Sequence, residues 1–254
     1  MTPPILVTGG TGTLGGHVIP LLRAAGRDVR MLSRHHREPV DGIEHFASDL
    51  LEGEGIEPAV AGVETVLHLA GGTKDDDKAT QNLVRAAAKA GVKHIVYISV
   101  IGANTMPLGW FKLQLRAEQA VTDSGIPWTM LRAAQFHDLV LKIAEKMGRM
   151  PVIPVPGGVR LQPVESREVA ARLAELALGR PAGRVPDLAG PTVYPIKDLV
   201  GGYLQARGKR RMMIPIWMPG KVGTAYRAGV NLSLDGAEFG KRTWEEFLAE
   251  RVSA

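Results

Sequence analysis

The 254-residue chain contains no cysteine, which removes disulfides, thiolate nucleophiles and cysteine-held metals together and suits a reducing compartment. Aromatic residues are scarce at 5%, and none interrupts the densest basic run, Arg207-Gly208-Lys209-Arg210-Arg211. A surface that stacks single-stranded nucleic acid needs such aromatics, so the formal charge of +5 reads as a solvated basic face, not as a nucleic-acid partner. No apolar run is long enough to span a membrane, and Met1-Thr2-Pro3-Pro4 leads into an apolar segment with no room for a signal peptide. A cytoplasmic protein with neither membrane nor nucleic-acid partner is expected. Internal repeats and low-complexity tracts are also lacking.

What is present is a core: 45% of residues are hydrophobic against 22% charged, enough for one domain with a small lobe. The chain is organised around Ile5-Leu6-Val7-Thr8-Gly9-Gly10-Thr11-Gly12-Thr13-Leu14-Gly15-Gly16, followed by Val18-Ile19-Pro20-Leu21-Leu22. This reads strand, glycine turn, helix. A pyrophosphate rests on the first turn of a helix only where backbone N–H groups are free and no Cβ blocks approach. Two registers fit, Gly9, Gly12 and Gly15 or Gly10, Gly12 and Gly15, and Thr11, Thr13 and Leu14 supply the intervening backbone. A triphosphate P-loop would need Lys and Ser/Thr after Gly15, where Gly16 and His17 stand.

Asp28–Ser33 reads as the second strand, and at its end a ribose-binding carboxylate is replaced by Ser33 and Arg34, with Arg37 close by. Guanidinium and hydroxyl groups hold a 2′-phosphate that a carboxylate would repel, so NADP is expected over NAD. A third strand, residues 43–47, runs to Asp49 and Leu50, placed against the adenine; Asp49 equally suits a turn cap. The fourth, residues 65–70, carries His68 as a core histidine and delivers Ala70, Gly71 and Gly72 to the cofactor rim. Asp75-Asp76-Asp77 suits the positive end of a helix running from Ala79 to Ala90 and requires no metal. The fifth strand, residues 94–99, ends at Ser99. A helix over residues 108–121 and a sixth strand, residues 128–132, complete a βαβαβ alternation, the pattern of an α/β doubly wound parallel sheet.

Val7-Thr8-Gly9-Gly10-Thr11-Gly12-Thr13-Leu14-Gly15, Tyr97-Ile98-Ser99-Val100-Ile101-Gly102-Ala103, Ala117-Glu118-Gln119 and Ser124–Phe136 together resemble the NmrA-like branch of the atypical short-chain dehydrogenase/reductases. Gln162-Pro163-Val164 and Glu168-Val169-Ala170 extend the likeness into the second half. The resemblance implies a Rossmann core over residues 1–135 that binds NAD(P). Residues 136–254 would add the remaining core elements and a small C-terminal substrate-binding lobe, in one compact unit. The branch holds reductases of quinones and azo dyes, and also non-catalytic nucleotide sensors acting through a protein partner.

Short-chain dehydrogenases place Tyr and Lys four apart on the helix after strand five. Aligned on Ala117-Glu118, those positions are Trp110 and Gln114; in the register that keeps Lys112, the Tyr position is Leu108. Either way the phenol is missing, and Tyr97 reads as core. A planar conjugated acceptor can still take hydride and draw its proton from water. Ser99, Trp110 and Gln114 are the expected acceptor-site residues, with Gly71, Gly72 and the lobe around them. His137, after strand six, is the candidate titrating group, or else a helix-start contact with Asp138. The proline-broken runs 151–156 and 212–219 suit pocket walls or lobe core, or both. The expectation is an NADPH-dependent reductase of a planar small molecule; the alternative is an NAD(P) sensor without turnover.

Overall fold

The computed structural model describes residues 2–34, 43–72 and 74–252. In chain order the first elements are β1 (Ile5–Thr8), α1 (Thr13–Ala24), β2 (Val29–Ser33), β3 (Glu44–Ala47), α2 (Glu57–Val60), β4 (Thr65–His68), α3 (Asp76–Lys89), β5 (His94–Val100), α4 (Gly109–Thr122) and β6 (Trp128–Ala133). Then come α5 (His137–Met147), β7 (Val152–Pro156), β8 (Arg160–Leu161), α6 (Ser166–Leu178), β9 (Gly183–Arg184), β10 (Leu188–Ala189) and β11 (Tyr194–Pro195). The chain closes with α7 (Ile196–Ala206), β12 (Met212–Ile216), α8 (Gly220–Ala228), β13 (Glu238–Phe239) and α9 (Trp244–Val252). Two compact units result, each assembled from three chain segments: Met1–Ser99, Gly109–Leu131 and Val169–Val185 in one, Val100–Leu108, Arg132–Glu168 and Pro186–Ala254 in the other.

In the first unit the strands lie in the order β3-β2-β1-β4-β5-β6, with β9 beside β6. The pairs β1–β2, β2–β3, β1–β4 and β4–β5 are parallel, so the order reverses direction at β1 and β4, the switch point of a doubly wound Rossmann sheet. All four residues of β1 are buried, as a central strand covered on both faces requires. Helix α1 buries Leu14, Val18, Ile19 and Leu22 on one stripe, while Leu83, Val84 and Ala87 do the same for α3. The α3 residues close a core with Leu6, Val66, Ile95 and Val121. Strand β4 stops at His68, two residues before the apolar run ends; beyond it Thr8 Oγ1 accepts the N–H of Ala70 and shares that of Leu69 with the Thr8 carbonyl.

The second unit holds three short strand pairs, β7 with β12, β8 with β11, and β10 with β13. Its core gathers Val140, Ile153, Leu199, Tyr203, Trp244 and Phe247. The runs 151–156 and 212–219 contain the parallel pair β7–β12, in register Met212↔Val152 through Ile216↔Pro156. Because side chains alternate, Ile153 and Val155 enter the core, whereas Val152, Met212, Ile214 and Ile216 face outward. Among the described residues no helix is long and apolar enough to cross a membrane.

Candidate cofactor site

The glycine turn needs its glycines for distinct reasons. Gly9 has φ +68°, and a Cβ there would stand 2.7 Å from the Ala70 nitrogen. A Cβ on Gly15 would stand 2.4 Å from the Cα of Gly10, so α1 can start this close to the turn only without it. Gly12 is the N-cap of α1, donates its N–H to the Gly9 carbonyl at 2.9 Å, and offers no side-chain cap. The first intrahelical bond is Gly16 N–H to Gly12 carbonyl, which leaves the N–H groups of Thr13, Leu14 and Gly15 outside the helical ladder. Exposed Thr11, Gly12 and Thr13 surround this positive helix end, and a dinucleotide pyrophosphate fits it.

The remaining predicted contacts divide by exposure. Arg34 is exposed; Ser33 is half-buried with its Oγ 3.0 Å from His45 Nε2; Arg37 lies outside the described residues. Asp49 is exposed, and its Oδ1 accepts the Leu51 N–H at 2.9 Å, the turn-capping role. The side chains of Leu14 and Leu50 are core, each 6% exposed, so only their backbones are placed to meet a ligand. Gly71 and Gly72 are exposed after half-buried Ala70.

Beneath this rim runs a buried polar network. Thr8 Oγ1 lies 2.7 Å from His68 Nδ1, and His68 Nε2 lies 3.0 Å from Thr80 Oγ1, which donates to the Asp76 carbonyl. Burial lowers the His68 pKa to about 4 and keeps the ring neutral. The Asp76 carboxylate accepts the Gly72 N–H at 2.6 Å on Oδ1 and Gln114 Nε2 at 2.7 Å on Oδ2. Burial, and then Asp77 and Asp75, push its pKa up to about 6, against the pull of those two hydrogen bonds. Gln114 Oε1 in turn accepts the Tyr97 hydroxyl at 3.1 Å, and burial raises the pKa of that phenol.

The three predicted acceptor-site residues and His137 have definite surroundings. Trp110 is 37% exposed and donates Nε1 to the Gly72 carbonyl at 2.9 Å. Gln114 is buried in the network just described. Ser99 is buried and donates Oγ to Glu118 Oε1 at 2.5 Å. His137 requires a correction: it is fully buried, its ring centroid 5.0 Å from that of Phe247 and 5.8 Å from that of Trp244. Among the described residues neither ring nitrogen has a hydrogen-bond partner, and burial lowers its pKa to about 4, so it is a neutral core residue and not a titrating one near neutrality. Asp76 went unrecognised in the sequence because an acid in the first turn of a helix is accounted for by the dipole alone.

Fold and turn define a Rossmann-type dinucleotide-binding protein. The chain belongs to the NAD(P)H-binding family, whose profile matches residues 9–177, within the NmrA-like group of atypical short-chain dehydrogenase/reductases. It is 31% identical over 213 residues to NAD(P)H azoreductase of Xenophilus azovorans, covering 81% of this chain and 74% of that one. It is 29% identical over 216 residues to quinone oxidoreductase 2 of Escherichia coli, covering 81% and 75%. Among solved structures, the NADPH complex of the E. coli NADPH-dependent quinone oxidoreductase superposes with TM-score 0.82 at 22% identity, covering 97% of this chain and 99% of that one. Triphenylmethane reductase of Citrobacter sp. superposes with TM-score 0.72 at 23% identity, covering 99% and 95%.

Proposed function

We propose that the protein is an NADPH-dependent reductase that delivers hydride to a planar, conjugated small molecule of the quinone or azo-dye class. The observation that carries this is the glycine turn with its free helix-start N–H groups, combined with Trp110 and Gln114 where a Tyr–Lys pair would supply a proton. A bound reduced nicotinamide supplies the hydride.

The chain supplies the binding. Gly9, Gly12 and Gly15, with the backbone of Thr11, Thr13 and Leu14, hold the pyrophosphate. Arg34 and Ser33 take the 2′-phosphate, Asp49 and Leu50 border the adenine, and Ala70, Gly71 and Gly72 flank the rest of the cofactor. With the Tyr97 hydroxyl committed to Gln114 and that of Ser99 to Glu118, protein acids are poorly placed to protonate the acceptor. Acceptors whose negative charge spreads over a conjugated system can take the proton from water, which selects the substrate class. NADPH oxidation followed by absorbance with a small quinone and an azo dye tests the reading. Saturable turnover is expected. Tight NADPH binding with no turnover over such a panel would instead favour a nucleotide sensor.

A further inference from the structure

Gly72 is held at both of its backbone groups by side chains from two different helices. Its N–H donates to Asp76 of α3 at 2.6 Å, and its carbonyl accepts Trp110 Nε1 of α4 at 2.9 Å. Gln114, one helical turn beyond Trp110, braces Asp76 at 2.7 Å and is itself held by Tyr97 at 3.1 Å. Just before Asp76, Asp75 has φ +57°, the one non-glycine left-handed residue among those described, so the backbone turns at the entry to α3. Asp76 is only 7% exposed and has Asp75 and Asp77 for neighbours, a costly place for a carboxylate unless its hydrogen bonds serve a purpose.

We propose that Asp76, braced by Gln114, and Trp110 form a clamp that fixes the Gly71–Gly72 backbone in the shape that receives the dinucleotide. They are positioning residues acting through Gly72. The inference rests on the reductase reading only in requiring that this rim bind the cofactor.

The donors and acceptors are mutually consistent when Asp76 is ionised, because both of its oxygens accept. A proton on Oδ1 breaks the Gly72 bond, and one on Oδ2 forces the Gln114 amide to rotate. The other ionisable groups around it are Tyr97 of β5, Glu118 of α4 beyond Tyr97, His68 of β4 across Thr80, and Arg116 of α4, which lies 3.5 Å from Asp77. Acidification through about pH 6 therefore slackens the clamp.

Calorimetric titration of the full chain with NADPH and with NADP, alongside steady-state kinetics, tests this. Trp110→Phe and Asp76→Ala are expected to weaken both dinucleotides by about fivefold or more, the worth of one hydrogen bond, and to raise KM for NADPH. Asp76→Asn should recover part of the affinity, since its amide oxygen still accepts from Gly72 while its NH2 forces the Gln114 amide to rotate. On acidification wild-type affinity should fall more steeply than that of Asp76→Asn, the cofactor's own phosphate titrating alike in both. Trp110→Phe, at the exposed end, carries the test should Asp76→Ala not fold. Unchanged dinucleotide affinity in Trp110→Phe, or a change confined to KM for the acceptor, overturns the clamp and leaves the reductase reading standing. Failure of the wild type to bind either dinucleotide overturns both.

Discussion

Thr8 Oγ1 stands 2.7 Å from His68 Nδ1 and also accepts the N–H groups of Leu69 and Ala70 at 3.2 Å each. With its lone pairs engaged, the hydroxyl donates to Nδ1, so His68 carries its proton on Nε2 and donates to Thr80. One side chain thus sets the tautomer of a buried histidine and the path of the strand end beside Gly9. Thr8→Val keeps the shape and removes the three bonds made by that hydroxyl. Loss of about 3 kcal/mol is expected in urea unfolding, from buried groups left unpaired. A change under about 1 kcal/mol would mean that the network does not hold the strand end.

His137 offers the opposite case, a ring whose nitrogens have no partner among the described residues. Replacing it by Phe keeps an aromatic against Trp244 and Phe247 and removes two unsatisfied polar atoms. The variant should be about 1 kcal/mol more stable at neutral pH, with reductase activity retained. Loss of activity in a stably folded variant would return His137 to the catalytic candidates.

Acid stability follows from the same histidines. In the folded protein His68 and His137 titrate near 4, below the ordinary histidine value of 6.5. Between those values the unfolded chain binds more protons, so stability is full above about 6.5 and is lost as pH falls toward 4. Asp76, raised from 3.8 to about 6, acts in the opposite sense, stability falling as pH rises through that range. Urea midpoints measured across the interval should decline less steeply on acidification in His137→Phe than in the wild type. Parallel curves would mean that His137 titrates normally.

The glycine turn makes a paired prediction. Gly15→Ala places a methyl 2.4 Å from the Gly10 backbone and should cost at least about 2 kcal/mol and abolish tight NADPH binding. Gly16→Ala, one residue on in the same helix, meets nothing within 4 Å among the described residues and should gain about 0.5–1 kcal/mol. Equal effects in thermal unfolding would refute the tight packing of α1 on the turn.

That turn was legible because backbone demands leave a mark in residue type: where no Cβ fits, glycine stands. The six strands were legible through period and punctuation. The pair β7–β12 was not, since both of its faces are apolar and prolines hide the alternation. The environment of His137 was also hidden, because its position after β6 says nothing of which way the ring turns; packing against Trp244 and Phe247 decides that. The partner of Trp110 and of Asp76 is a glycine backbone, which carries no residue signature, so their joint hold on Gly72 could be found only in three dimensions.

The proposed preference for NADPH rests on Arg34. It is exposed at the end of β2, the strand whose terminus faces the adenosine ribose in this fold, and Ser33 and Arg34 occupy the positions where a ribose-binding carboxylate would stand. A guanidinium paired with a 2′-phosphate is a charge-assisted contact worth roughly 1.5–3 kcal/mol, or about tenfold to a hundredfold in affinity. NADH lacks that phosphate and has nothing to lose. Arg34→Ala should therefore weaken NADPH by at least about tenfold and leave NADH within about twofold, both read by calorimetry at fixed ionic strength. Equal weakening of the two would assign Arg34 a general electrostatic role, and an unchanged ratio would place the 2′-phosphate on some other cation.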